Sequence, residues 1–252
     1  MNEVFPHSLD PVRLPQMGLV VLKSDETAER DFRDLLPREV ELLVSRVPAA
    51  DEVTRANLAE IANHLTQATA LFPTGVPFSV LGYACTSGSA ELGEARVEAL
   101  MTAAASTRAV TNPLSALVAA CGALEIRTLG LLTPYAPEVA ARMREALQGF
   151  GLEVPVYGSF SVPQEAMVVR IDSGSILFGA AELAQQGRAD AIFLSCTNLR
   201  TLSLIPRLEA QLGIPVMSSN QVLAWHMLRL AGFDTPGPGQ LFSCGLPVAV
   251  PG

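Results

Sequence analysis

Short apolar runs alternate with longer amphipathic segments along almost the whole chain. Apolar runs bounded by turn-forming residues predict buried strands, and apolar positions three or four residues apart predict helices. The predicted strands cover residues 17–22, 39–45, 78–83, 108–110, 127–132, 153–157, 191–194 and 215–217. The predicted helices cover residues 25–36, 51–71, 89–104, 113–124, 137–150, 164–186, 199–212 and 221–230.

This alternation predicts an α/β fold with parallel sheets that are flanked by helices. The pattern restarts near residue 112, and the second half repeats the order of the first. We therefore predict two similar α/β domains, residues 1–112 and residues 113–218. Residues 219–252 are expected to pack back on the first domain, and the active site is expected in the cleft between the two.

The composition argues against several classes of protein. The 252 residues are 49% hydrophobic and 17% charged, which allows a large core. The net charge of −8 argues against a general nucleic-acid-binding face. No apolar run is long enough to span a membrane, and the first residues lack the regions of a signal peptide. These features predict a cytoplasmic protein with reduced thiols and no membrane association.

Motifs for metals and nucleotides are missing from the sequence. The four cysteines are widely spaced, and the three histidines form no H-x-x-x-H pair. There is no G-x-x-x-x-G-K-[ST] loop, and no G-x-G-x-x-G follows a strand. We predict neither a metal nor an organic cofactor.

Two cysteines occupy matching positions in the two halves. Cys85 and Cys196 each lie just past a predicted strand and before a helical segment. Ligands bind at this edge of an open α/β sheet, and a helix N-terminus stabilises anions and thiolates. The alternative is that both are inert, because free cysteines are often buried.

Small polar residues follow each cysteine, Thr86 and Ser87 in the first half and Thr197 and Asn198 in the second. Their hydroxyl and amide groups are suited to a carboxylate. A thiolate can take a proton from the carbon next to a carboxylate or add to an activated double bond, and a facing thiol can supply a proton. We predict this chemistry for the pair.

Three further residues are candidates for substrate binding. Asp25 and Tyr135 follow predicted strands, and Glu165 opens a predicted helix. Their alternative roles are structural: Asp25 as a helix N-cap, Tyr135 as a loop cover, and Glu165 as a carboxylate that favours a helix start.

The two cysteine segments, residues 84–89 and 195–198, resemble the aspartate/glutamate racemase superfamily. Within it, the maleate isomerase and arylmalonate decarboxylase branch is the most similar, and the likeness runs from residue 17 to residue 232. The resemblance implies a cofactor-free enzyme with two pseudo-symmetric α/β domains, which forms a homo-oligomer. It implies that Cys85 is the base or nucleophile and Cys196 the acid, and that Tyr135 binds a substrate carboxylate.

Two positions depart from maleate isomerases: the resemblance implies asparagine where this chain has Asp25 and where it has Glu165. Two carboxylates would repel a dicarboxylate and favour a substrate with an ammonium group. The segment Asp25-Glu26-Thr27 with residues 32–37 resembles ectoine-utilisation proteins. That likeness implies an amino-acid derivative from ectoine breakdown, such as a diaminobutyrate species.

The sequence therefore predicts a cofactor-independent isomerase or racemase for a small, amine-bearing carboxylate. Maleate cis–trans isomerisation stays open, and so does a non-catalytic protein that binds a small carboxylate. Decarboxylation is disfavoured, because decarboxylating relatives tend to have a glycine where this chain has Cys85.

Overall fold

Two parallel four-stranded sheets form the frame of the molecule. The computed structural model of the chain describes residues 3–75 and 77–247. The first sheet has the order β2-β1-β3-β4 and the second the order β6-β5-β7-β8. The strands are β1 (Gln16–Leu22), β2 (Glu41–Val47), β3 (Val80–Ala84), β4 (Val110–Thr111), β5 (Thr128–Thr133), β6 (Glu153–Ser159), β7 (Ala191–Leu194) and β8 (Val216–Ser218). This arrangement confirms the predicted α/β fold with two similar parallel sheets.

Eleven α-helices cover the sheets within the described residues. They are α1 (Ala28–Leu35), α2 (Arg55–Glu60), α3 (Ala62–Thr69), α4 (Thr86–Leu92), α5 (Glu94–Thr102), α6 (Pro113–Ala123), α7 (Pro137–Gly149), α8 (Glu165–Val168), α9 (Ser173–Gln185), α10 (Ile205–Leu212) and α11 (Ser219–Leu230). No helix in residues 3–75 or 77–247 has the length and apolarity needed to cross a membrane.

Several predicted helices have different bounds in the structure: the predicted helix 164–186 is divided into α8 and α9, the predicted helix 199–212 starts only at Ile205, and two further differences have a clear local cause. The predicted helix 51–71 is divided into α2 and α3, and it begins at Arg55 because the Thr54 side chain caps it by accepting from the Asn57 N–H. The predicted helix 89–104 begins earlier, at the start of α4. It is interrupted at Gly93, whose φ of +81° is incompatible with a continuous helix.

The central strands carry the core. All residues of β1, β3 and β7 are buried, whereas the edge strands β2 and β6 contain buried, partly buried and exposed positions. Such continuous burial is typical of parallel strands that are covered on both faces. The central strands therefore end in the protein interior. Cys85 follows the central strand β3 of the first sheet, and Cys196 follows the central strand β7 of the second.

The last helix returns to the first half of the molecule. Although α11 directly follows β8 of the second sheet, it packs against β3, α1 and α6. Trp225 lies fully buried on α11, and its indole N–H donates to the carbonyl oxygen of Cys244 at 3.1 Å. Of these elements, β3 and α1 belong to the predicted first domain, whereas α6 (Pro113–Ala123) follows the predicted boundary, and the assignment of residues 219–252 to the first domain stays a prediction. The domain boundary and the homo-oligomeric state stay predictions.

The segment after α11 is irregular, and Arg229 holds it in place. The guanidinium donates to three backbone carbonyls of this segment, those of Phe233, Phe242 and Cys244, at 2.8, 3.0 and 3.0 Å. The guanidinium presents several N–H donors in one plane, so it can reach three carbonyl oxygens at once. The Arg229 side chain thus supplies hydrogen bonds that a helix or strand would otherwise provide to this segment.

We expect Arg229→Met to lower the free energy of unfolding by about 3 kcal/mol, because three carbonyls lose a charged donor. For a chain of this size, that corresponds to a fall in Tm of about 6–12 °C in thermal unfolding. Arg207→Met, at an exposed position of α10, is the matched control and should leave Tm unchanged. Equal Tm values for the two variants would contradict this role of Arg229.

Candidate active site

Cys85 lies directly after β3 and forms the N-cap of α4. Its sulfur accepts a hydrogen bond from the Gly88 N–H at 3.2 Å and lies 3.7 Å from the Ser87 hydroxyl oxygen. The side chain is only 3% exposed. The helix start therefore directs backbone and hydroxyl donors at this sulfur, as expected for a group that becomes a thiolate.

Cys196 lies two residues after β7 in a strained backbone conformation. Its φ is +145°, a value that residues with a side chain rarely adopt and that is often found at functional sites. The Cys196 N–H donates to the Ser219 hydroxyl oxygen at 3.0 Å, and the Thr86 hydroxyl donates to the same oxygen at 2.7 Å. Ser219 thus joins the segment after Cys85 to the segment that carries Cys196.

Asp25 combines a structural contact with an unused oxygen. Its Oδ1 accepts from the N–H groups of Thr27 and Ala28 at 2.9 and 2.7 Å, which fixes the start of α1. Its Oδ2 is buried and has no hydrogen-bond partner among the described residues. Burial raises the pKa of this carboxyl group, and the two backbone N–H groups limit the rise. Both roles that the sequence offers for Asp25 are therefore compatible.

Glu165 is connected to the Asp25 segment through Asn198. The Asn198 amide donates to Glu165 Oε2 at 2.8 Å, and its Oδ1 accepts from the Glu26 N–H at 2.9 Å. Thr27 adds a hydrogen bond from its hydroxyl to the Asn198 carbonyl oxygen at 3.0 Å. One side chain therefore fixes the positions of segments that come from both halves of the chain.

The acidic groups of this region influence one another. Burial raises the pKa of Glu165 to about 7, the Asn198 amide opposes the rise, and the charge of Asp25 adds to it. Burial also raises the pKa of Cys85 to about 11 and that of Cys196 well above its usual range. The negative charge of Glu165 contributes to both thiol shifts. Within the described residues, no group of three or more His, Cys, Asp or Glu side chains is arranged to hold a metal ion.

Tyr135 lies among these groups. It follows β5, its side chain is only 1% exposed, and its N–H donates to the Thr133 hydroxyl at 3.1 Å. Burial raises the pKa of its phenol well above the usual range, and negative charge at Cys196, Cys85 and Glu165 would raise it further. The phenol therefore stays protonated and can donate a hydrogen bond.

The side chains that were predicted to bind a carboxylate mostly donate within the protein. The Thr197 hydroxyl donates to the Ala84 carbonyl at 3.3 Å, and the Thr86 hydroxyl and the Asn198 amide make the contacts described above. By contrast, the N–H groups of Thr86 and Ser87 are in the first turn of α4 and have no acceptor inside that helix. The structure brings all the predicted residues to one region, and their roles toward a substrate stay predictions.

The polar first turn of α11 contributes groups that the sequence pattern does not predict. Asn220 donates through its Nδ2 to the Thr197 carbonyl at 2.7 Å and to Asp31 Oδ2 at 2.8 Å. Burial raises the pKa of Asp31 to about 6. Ser218 and Gln221 form a capping box, which is the sequence signal that places the start of this helix before Gln221.

Sequence comparisons identify relatives with two named activities. The profile of the arylmalonate decarboxylase family matches residues 49–242. Arylmalonate decarboxylase of Bordetella bronchiseptica is 33% identical over 138 residues, which cover 52% of this chain and only 57% of that enzyme. Maleate isomerase of Geobacillus stearothermophilus is 25% identical over 245 residues, which cover 90% of this chain and 97% of that enzyme.

Solved structures show the same fold. A cysteine-to-alanine variant of the maleate isomerase Iso from Pseudomonas putida, with maleate, superposes with a TM-score of 0.84 at 22% identity, covering 94% of this chain and 100% of that one. A cysteine-to-serine mutant of Nocardia farcinica maleate cis–trans isomerase, with a covalently bound succinylcysteine intermediate, gives 0.79 at 23% identity, with coverage of 91% and 98%. Because the family profile matches more than half of the sequence, the chain belongs to the arylmalonate decarboxylase family of enzymes, the branch that its two cysteine segments resemble.

Proposed function

We propose that this protein is a cofactor-independent isomerase of the racemase type, which acts on a small carboxylate that carries an amine. The observation that carries the proposal is the pair of buried thiols, Cys85 and Cys196, at the ends of equivalent strands of two parallel sheets. With one thiol from each half of the molecule, one can remove a proton from a carbon atom and the other can add a proton to its opposite face.

The proposed reaction moves two protons. The Cys85 thiolate takes the proton from the carbon next to the substrate carboxylate, and the electron pair of that C–H bond stays on the substrate. The Cys196 thiol then donates its proton to the other face of the same carbon, which inverts the configuration and leaves Cys196 as the thiolate. The N–H groups of Thr86 and Ser87, which have no acceptor inside α4, would stabilise the carboxylate as negative charge develops on it.

Asp25 and Glu165 support an amine on the substrate. Asp25 Oδ2 has no partner among the described residues, and Glu165 uses only its Oε2 to accept from Asn198. Buried carboxylates require a compensating charge. An ammonium group would supply it, whereas a second carboxylate would add repulsion. A diaminobutyrate species from ectoine breakdown has this combination of groups.

Binding of such a substrate would also activate the thiols. Negative charge at Glu165 raises the pKa of both Cys85 and Cys196. An ammonium group beside Glu165 would offset that charge and make either thiolate easier to form. Proton abstraction would therefore be favoured only after the correct substrate has bound.

Maleate cis–trans isomerisation is the second candidate. The observation that favours it is the likeness to maleate isomerases over most of the chain, including one whose structure holds a covalently bound succinylcysteine intermediate. In that reaction the Cys85 sulfur would add to the double bond, the resulting single bond would rotate, and the sulfur would leave again.

The first prediction from the proposed function concerns the two thiols. We expect the enzyme in D2O to exchange the α-hydrogen of 2,4-diaminobutyrate or of an acetylated form, observed by proton NMR. Cys85→Ser and Cys196→Ser should each lower the rate by about a hundredfold or more, because each removes one acid–base group. Cys121→Ser, a buried cysteine inside α6, is the matched control and should change the rate only a few-fold.

Exchange that survives in both serine variants would contradict the two-thiol mechanism. If no candidate exchanges, but one of them still protects Cys85 from alkylation by iodoacetamide, the protein is better described as a binding protein for small carboxylates.

The second prediction concerns the two carboxylates. We expect the double variant Asp25→Asn, Glu165→Gln to bind the diamino acid at least about tenfold more weakly and maleate more tightly, because each change removes one negative charge. Calorimetric titration of both ligands measures the change. Asp34→Asn, an exposed aspartate of α1, is the control for net charge. Unchanged maleate affinity in the double variant would favour a role in helix capping alone.

The third prediction is a pH dependence of substrate binding. Since the pKa of Glu165 is about 7, its carboxyl group is mostly protonated at pH 6 and mostly ionised at pH 8. Affinity for the ammonium form of the substrate should therefore rise about tenfold from pH 6 to pH 8. Glu165→Gln should abolish this rise, and a rise that persists in the variant would assign it to another group.

A further inference from the structure

Tyr83 carries a buried hydroxyl group without a partner. The side chain, on β3, is 0% exposed, and its hydroxyl oxygen has no hydrogen-bond partner in residues 3–75 and 77–247. A buried hydroxyl that makes no hydrogen bond is destabilising, and such groups are rare in folded proteins. A phenylalanine would fill the same volume without this penalty, so the hydroxyl calls for an explanation.

The Tyr83 hydroxyl is a close neighbour of the Cys85 thiol. A Cβ atom at position 88 would collide with the Tyr83 hydroxyl oxygen and would lie 2.9 Å from the Cys85 sulfur. Because one small volume touches both atoms, only glycine allows them to occupy their positions. Gly88 also donates its N–H to the sulfur at 3.2 Å. The Tyr83 hydroxyl, the Cys85 sulfur and the Gly88 N–H therefore lie around one small volume.

We infer that Tyr83 is a positioning residue for Cys85: its hydroxyl donates a hydrogen bond to the sulfur when the thiol loses its proton, and so stabilises the thiolate. The inference rests on the proposed function of Cys85 as the base or nucleophile. Hydrogen bonds to a charged acceptor are stronger than those to a neutral one, so the contact gains strength when the charge forms.

The directions in which the pKa values of both groups are shifted support this role. Burial raises the pKa of Cys85, whereas the Gly88 N–H, the Ser87 hydroxyl and the Tyr83 hydroxyl lower it. Burial raises the pKa of Tyr83 well above its usual range, and negative charge on Cys85 raises it further. The phenol thus keeps its proton and remains a donor at any pH at which the protein would work.

The test is Tyr83→Phe, which removes one oxygen atom. We expect the rate of iodoacetamide alkylation of Cys85 at pH 8, measured by peptide mass spectrometry, to fall about three- to tenfold. Loss of a hydrogen bond to a charged acceptor shifts the thiol equilibrium at least about tenfold, and the higher nucleophilicity of the more basic thiolate offsets part of that shift. Alkylation of Cys196 in the same sample is the internal reference and should keep its rate.

Thermal unfolding separates this role from a structural one. Because the variant loses a buried, unpaired hydroxyl, its Tm should equal or exceed that of the native protein. Tyr157→Phe, at a half-exposed position of β6, is the matched control and should change neither quantity. An unchanged Cys85 rate would overturn the inference. A lower Tm together with an equal fall in the alkylation rates of Cys85 and Cys196 would also overturn it, since that result indicates a packing defect.

This test does not depend on the substrate. If the α-hydrogen exchange experiment fails while Tyr83→Phe still slows alkylation of Cys85 alone, the proposed reaction is wrong and the contact between Tyr83 and the thiolate stands. If exchange requires both cysteines but Tyr83→Phe has no effect, the reaction stands and the role of Tyr83 is wrong.

Discussion

Burial of acidic groups without a matching positive charge is the constraint on which the candidate site depends. Asp25 and Glu165 are each 4% exposed and Cys85 and Cys196 are each 3% exposed. The guanidinium of Arg46 donates to the Asp25 carbonyl at 2.9 Å and lowers the pKa of its carboxyl group only in a minor way. In such surroundings the four groups cannot all be ionised at the same time. These surroundings therefore favour protonated forms, and the segments of the site are held by neutral amides and hydroxyls.

The location of the site could be predicted from the sequence because it follows from backbone topology. In parallel sheets of this kind, the carboxyl ends of the central strands meet at one edge, so residues just past those strands come together. That rule predicts that Cys85, Cys196, Asp25 and Tyr135 lie near one another, and a helix start adds Glu165; whether they act on a substrate stays a prediction. The rule does not predict the direction in which a hydroxyl group points. The hydrogen bond from the Thr197 hydroxyl to the Ala84 carbonyl oxygen is determined by tertiary contacts.

The remaining differences have local causes. The start of α4 was misplaced because a cysteine is not among the usual N-cap residues, although Cys85 acts as one here. Ser219 was missed because serine at a helix start is common and usually serves the helix alone. Its second role, between Cys196 and Thr86, depends on a contact across a sequence separation of more than a hundred residues. Such contacts leave no periodic signal in the chain.

The return of α11 to the first sheet has a consequence for how this architecture can be divided. The two sheets have the same strand order, which suggests interchangeable halves. Yet α11 is connected to the second sheet, packs on the first, and supplies Ser219 to both cysteine segments. Neither half is complete by itself: the first sheet needs α11 to cover it, and α11 needs the first half as the surface on which it packs. A gene cut near residue 112 would encode two fragments that must fold together, and the halves should lose their structure in one cooperative transition.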